Sequence, residues 1–537
     1  MSIRLKNLLA TSVLASLALA SISSSAAESY LDNGVVKVGV DLAKGGSITY
    51  LSLSGSTNNI VNNYDLGRQI QQSYYSGPQP YNPSNNINPA WPDWPWNPIQ
   101  TGDSYGNRSV VLASSNNGQM LYVKCRPMQW ALSNVPGQCT FEAWLRLTNN
   151  VIIVSNRLLN ARTDTTQQFA AMDQELPAVY TIGKLYRLFS YAGDAPFTGG
   201  PLTNFPSVGP PADWNVWVAS ESWAAMVNSS NWGLGIYSPG AMLFAGGFHG
   251  TTNSGGPSDD PTGYIAPVQS EVLDSNIEYN YTYSLILGTL QQIRDWVYAQ
   301  PRRPVCDIPF RADRQHWYFT NTADTGWPIT NSLHVSLAGT DPQLYSPVVA
   351  FAATNVPHLY LCAAFSMANP AGRNLGRLYW KTNDVNGYSS TRSYTFTAIN
   401  DEQFHIYDLN LAASNSYRGF ITQLRFDPVT AGDAGDYARV AWISPSPFAY
   451  NDAVKPTLAI ALAKPYVVVG FFAMSGATAG YVGNNLLYDL EDCTNPVAGN
   501  WRGVPGFTNV VGDDSVKLFT NVMNDNDRLY RLRVSLQ

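Results

Sequence analysis

The chain has 537 residues with an apolar share of 45%, enough for about two to four units that each bury a core. Charged residues make up only 13%, about half the usual share of roughly 25%, and polarity comes instead from Asn, Ser, Thr, Gln, Gly and Tyr. The net charge is −6 with no basic block, which excludes nucleic acid as a partner and favours a neutral ligand over a polyanionic one.

The N-terminus reads as a secretory signal: Arg4 and Lys6 precede an apolar run from Leu8 to Ile22, and Ser25-Ala26-Ala27 is a small-residue cleavage site. Residues 1–27 are thus expected to be removed, leaving a secreted or periplasmic chain that starts at Glu28. An uncleaved anchor is the alternative, but the run is short for a membrane span. The later apolar stretch from Val467 to Met474 is shorter still, so no membrane association is expected. Five cysteines fit export without forming a dense scaffold. Cys125 and Cys139 flank a turn at Asn134-Val135-Pro136-Gly137 and are expected to pair. Cys306, Cys362 and Cys493 leave an odd count, and no metal-binding spacing is present.

Beyond the signal, short runs rich in Val, Ile, Tyr, Phe and Thr alternate with turns, as in 35–40, 151–156 and 404–409. The chain is punctuated by 42 glycines and 34 prolines. The expectation is an all-β protein, with one helix of barely two turns from Leu290 to Tyr298. Pro301-Arg302-Arg303-Pro304 and Ser444-Pro445-Ser446-Pro447 are stiff breaks. They divide the mature chain into 28–300, 305–445 and 450–537. The first piece is too large for an ordinary sandwich and calls for two sheets of many strands. The second has the size of a jelly roll. The third ends in a strand from Leu529 to Leu536.

Candidate chemistry starts at Asp65–Tyr75. On a strand, Asp65, Gly67, Gln69, Gln71 and Ser73 share one face, while Leu66, Arg68, Ile70, Gln72 and Tyr74 share the other. Gln69 and Gln71 offer donors and acceptors suited to sugar hydroxyls, Arg68 a carboxylate clamp, Asp65 a proton-transfer group and Tyr74 a further substrate contact. An edge strand facing water is the alternative. Next, Trp91, Trp94 and Trp96 lie on a proline-stiffened loop that is either a sugar platform or a flap over its own core. Trp94 and Trp96 are taken as substrate-binding, and Asp103 as an acid or base at the rim. Glu175 and Glu221 each sit among small and apolar residues. Alone, each reads as a satisfied structural carboxylate; together they would form the pair that glycoside hydrolysis needs. His249, between glycines, is a proton-transfer candidate or a turn residue. His316, His334, His358 and His405 look structural. Asp259-Asp260 is a possible structural Ca²⁺ site; no other cofactor is implied. Neither a phosphate loop nor a nucleophile elbow is found.

The segments NGVVKVGVD at 33–41, GGSITYL at 45–51 and NNYDLGRQ at 62–69 resemble the opening of the galactose-mutarotase-like supersandwich, over residues 30–295. The middle piece resembles a jelly-roll module of the carbohydrate-binding type through LYWKT at 378–382, FHIYDL at 404–409 and ITQLRFDP at 421–428. The tail, with Trp501 and LYRLRV at 529–534, is similar to small β-domains that end secreted bacterial proteins. The paired His and Glu of the mutarotases have no counterparts at matching places. The resemblance implies a carbohydrate ligand, either polysaccharide or oligosaccharide. The expected function is a secreted, monomeric glycoside hydrolase, favoured over a lyase because positive charge is scarce. A lyase would use His249 or Tyr74 as base with Arg68 neutralising a uronate. The alternatives are a non-catalytic carbohydrate-binding protein and, less suited to binding modules, an epimerase.

Overall fold

The computed structural model describes residues 28–537 except 84–85, 166, 386, 498 and 523–527. The expected signal at 1–27 lies outside the described residues. The protein is all-β, and its one α-helix among the described residues spans Leu290–Tyr298 as the sequence implies. A capping box starts that helix: Gln292 N–H donates to Thr289 Oγ1 at 3.3 Å and Thr289 N–H donates to Gln292 Oε1 at 2.9 Å. Its Ile293 and Val297 are buried against Trp223 and Ile286.

Residues 28–289 form two large antiparallel sheets. The first, of ten strands, runs in the order Glu28–Asp32, Val36–Asp41, Ser47–Leu53, Ile70–Ser73, Met172–Ile182, Thr262–Glu271, Leu243–His249, Asn215–Val218, with Pro98–Ile99 and Met128–Gln129 added beside Ile70–Ser73. The second, of nine strands, is centred on Glu278–Thr289 and Val151–Asn160. Alternation drives the packing. Along Val151–Asn160 every second side chain from Ile152 to Leu158 turns inward, while Ser155 and Arg157 turn outward. Val38, Val40, Ile70, Val179, Phe244 and Ile265 of one sheet meet Leu121, Leu145, Val154, Leu234 and Leu285 of the other in a sealed core.

A second pair of sheets follows. Five strands including His358–Ser366 and Tyr437–Ser444 face six including Leu375–Thr382 and Phe420–Asp427. Trp317, Leu361, Phe365, Trp380, Leu424 and Phe426 fill the space between them. Two smaller sheets from 459–536 complete the chain, ending in Leu529–Leu536. Their core is shared with the preceding sandwich: Val469, Phe471, Leu486 and Leu490 pack with Tyr360, Cys362, Ile406 and Trp442. Between the first and second sandwiches Arg314 is buried in ion pairs with Asp274 at 2.5 Å and Asp324 at 2.6 Å. No helix among the described residues is long and apolar enough to cross a membrane.

The expected Cys125–Cys139 pairing is corrected: both are free, buried thiols, as are Cys306, Cys362 and Cys493. The strand register explains it. Cys125 lies opposite Phe141, not Cys139. Cys139 is left at the diagonal position, in the same core cluster as Cys125.

Candidate functional site

The outer face of the ten-stranded sheet carries a cavity of about 520 Å³. Four strand segments and the loops around them make it. Ile70–Ser73 and the turn before it contribute Asp65, Arg68, Gln71 and Ser73, and the chain just beyond adds Tyr75. Met172–Ile182 contributes Glu175 and Tyr180, and Thr262–Glu271 contributes Tyr264. Loops supply Trp91, Trp94, Trp130 and Trp214, and Leu243–His249 supplies His249.

Glu175 is at the floor. Pro177 has no N–H to give to the ladder, and the pairing of Met172–Ile182 with both neighbouring strands slips directly after Glu175. Such a bulge re-aims the local side chains. Tyr75 Oη donates to Glu175 Oε2 at 2.8 Å, and Tyr264 Oη donates to Oε1. Both phenols are pushed far up, first by burial and then by the neighbouring carboxylate, so they remain hydrogen-bond donors. Tyr180 is raised likewise by burial and by Glu175.

Aromatic rings form the walls. Trp91 stands 6.2 Å from Trp94 and 5.3 Å from Trp130, and Trp94 is 6.2 Å from Tyr75. Opposite them, Tyr264 lies 4.9 Å from Tyr180 and 4.8 Å from Trp214. Tyr180 and Tyr264 are direct cross-strand partners. Trp214 reaches over the sheet because Gly247 has no side chain: a Cβ there would meet Val208 O at 1.9 Å and Trp214 Cε3 at 2.9 Å. Trp94 is anchored by Nε1–H donating to Asn97 Oδ1 at 2.9 Å, and Asn97 in turn donates to Tyr74 O at 2.8 Å.

The rim is charged but balanced. Arg68 sits 3.2 Å from Asp65 Oδ2 and 2.9 Å from Asp260 Oδ1, and its guanidinium covers the Tyr64 ring. His249 Nδ1 lies 2.8 Å from Pro210 O, which can only accept, so that nitrogen carries a proton. Nε2 faces Asp260 Oδ2 at 3.2 Å. Burial pushes the Asp260 carboxyl up, but the Arg68 and His249 contacts outweigh it and hold it below the usual range.

The cavity therefore gathers Asp65, Arg68, Gln71, Trp94, Glu175 and His249 from the residues singled out in the sequence. Five others are elsewhere. Glu221 is fully buried near the helix: Oε1 accepts from Phe197 N, Arg294 Nη2 and Tyr298 Oη, and Oε2 accepts from Trp223 Nε1. It makes no pair with Glu175. Asp103 is a loop staple, 1% exposed, accepting from Tyr105 N, Asn107 N, Asn107 Nδ2 and Asn134 N. Tyr74 and Trp96 are both sealed in a core cluster with Phe141 and Leu158, and Arg162 stacks 5.0 Å from the Trp96 ring. Gln69 is buried and spends its amide on Asp65 O. The Asp259 and Asp260 carboxylates diverge, Asp259 accepting from Gly256 N at 2.6 Å. No cluster of three or more metal-ligating side chains occurs among the described residues.

Trp130, Tyr180, Trp214 and Tyr264 were not singled out from the sequence. Tyr180 and Tyr264 each follow the outward phase of a strand, but 84 positions of chain separate them. Their pairing is a matter of register.

No family model and no curated protein sequence matches this chain. Solved structures are similar to about half of it. A putative aldose 1-epimerase from Escherichia coli K12 shares 10% identity over 49% of this chain and 100% of that one, with a TM-score of 0.31. A galactose mutarotase-like protein from Lactobacillus casei ATCC 334 shares 11% over 48% and 99%, with a TM-score of 0.31. A 4-alpha-glucanotransferase from Thermococcus litoralis shares 11% over 50% and 38%, with a TM-score of 0.28.

Proposed function

We propose that the cavity binds a neutral carbohydrate and that the protein is an exported carbohydrate-active enzyme that cleaves glycosidic bonds, with Glu175 as the proton-transferring group. The observation that carries this reading is the carboxylate held by two phenols at the floor of a cavity walled by indole and phenol rings. Rings of this kind offer flat apolar faces to the C–H surface of a sugar, and the amides of Gln71 and Asn97, spent on Thr101, Leu66, Trp94 and Tyr74, hold those walls in place. Arg68 shares its charge with Asp65 and Asp260, so a uronate would meet no net positive charge. Elimination is disfavoured for the same reason, and because Tyr75 and Tyr264 are poor bases. Hydrolysis needs a second carboxylate; Asp65 at the cavity and Asp260 at its rim take that place.

A second reading, binding without cleavage, is favoured by one feature: both Glu175 oxygens and both aspartates are already engaged. Incubation with a panel of neutral and acidic polysaccharides separates the two. New reducing ends without unsaturated-uronate absorbance match the enzyme reading. Retention on a glycan with no new ends matches the binding reading, and both signals together would mean a lyase.

A further inference from the structure

We propose that the binding groove continues beyond the aromatic cavity, across the seam with the second sandwich, and that its ligand is a chain of several sugar units rather than a mono- or disaccharide. This inference rests on the carbohydrate reading of the cavity.

The sheet register carries it. Glu175 lies directly opposite Val268, and Val268 opposite Leu243. Glu175 belongs to the aromatic cavity, while Val268 and Leu243 line a second cavity of about 210 Å³. Asp173, two residues before Glu175 on a regular stretch of strand, lines that second cavity too. Residues two apart share a face and lie about 7 Å from each other. The two cavities therefore abut along one row of side chains on the same sheet face.

The far side of the second cavity is built by the second sandwich, through Tyr318, Val348, Lys381 and Gln423. Val348, Lys381 and Gln423, with Leu243, also line a third cavity of about 310 Å³. The sheet face behind them repeats the chemistry of the first cavity. Trp380 and Leu424 turn into the core, so their strand neighbours Tyr379, Lys381, Gln423 and Arg425 turn outward. Tyr318 and Tyr345 stack at 5.3 Å and 11°. Gln423 donates to Tyr318 Oη at 3.1 Å. Lys381 is half-buried, and no carboxylate lies within 4.0 Å of its amine among the described residues, so its donors are open to ligand oxygens.

The test is an oligosaccharide array running from disaccharides to octasaccharides of common neutral glycans, read with the full mature chain and with Lys381→Ala. The expected result is affinity that rises with length in the wild type. In Lys381→Ala the long oligosaccharides weaken about tenfold, while disaccharides are held as before. Wild-type affinity that does not change with length would overturn the inference and leave the cavity reading standing. So would a Lys381→Ala variant indistinguishable from wild type on the longest chains. If nothing on the array binds the wild type, the cavity reading falls and this inference with it.

Discussion

Glu175 and Glu221 looked alike in the sequence, each a carboxylate among small and apolar neighbours, yet the fold gives them opposite tasks. Glu221 neutralises Arg294 at 3.1 Å in the interior and accepts three further hydrogen bonds. Replacing it by Gln leaves the Arg294 charge uncompensated, so Glu221→Gln is expected to cost about 3–5 kcal/mol of stability. Denaturant unfolding measures this, and any turnover by the remaining folded protein should be unchanged. A variant with wild-type stability and lost turnover would move Glu221 into the site. Glu175, by contrast, gives its oxygens to two tyrosines that face a ligand-sized cavity. Neither distinction was available from composition, because it depends on partners 73 and 89 positions away in the chain.

Among elements, the segment from Ile70 to Ser73 shows what alternation can and cannot tell. Of the odd-numbered face, Gln71 and Ser73 line the cavity while Gln69 is buried; Tyr74, taken as substrate-binding, turns into the core. Arg68 breaks the pattern because residues 64–69 are turn, not strand, so the two-residue period does not reach it. Trp96 and Trp94 were separable only once Asn97 was seen to pin one of them outward. The loop carrying Asp260 has its own consequence. The Asp260 carboxyl is held low in the folded state, so its stabilising contacts are complete above its ordinary value near 4 and are lost as the pH falls through the lowered one. Hydrogen exchange in 250–261 should therefore accelerate below pH about 4, and Asp260→Asn should remove that step. Identical acid profiles for the two proteins would contradict this role of Asp260.

At the scale of the whole molecule, the all-β class and the one α-helix among the described residues were legible because they rest on local periodicity and turn chemistry. The cavity was half legible, since its walls are brought together by register between distant strands. The cysteine pairing failed for the same reason. Burial pushes the Cys125 and Cys362 thiols up to about 12 and raises Cys139 and Cys306 further. These four thiols, and Cys493 because it too is buried, should resist a thiol reagent in the native protein and react in guanidinium. Fewer than five reactive groups after unfolding would restore a disulfide. Glu175 is the group on which cleavage depends, and the most direct measurement compares the wild type with Glu175→Gln on a glycan that the wild type cleaves. The variant is expected still to bind, with tryptophan fluorescence reporting the ligand, while new reducing ends appear at least about 100-fold more slowly. Undiminished cleavage by Glu175→Gln would contradict this dependence.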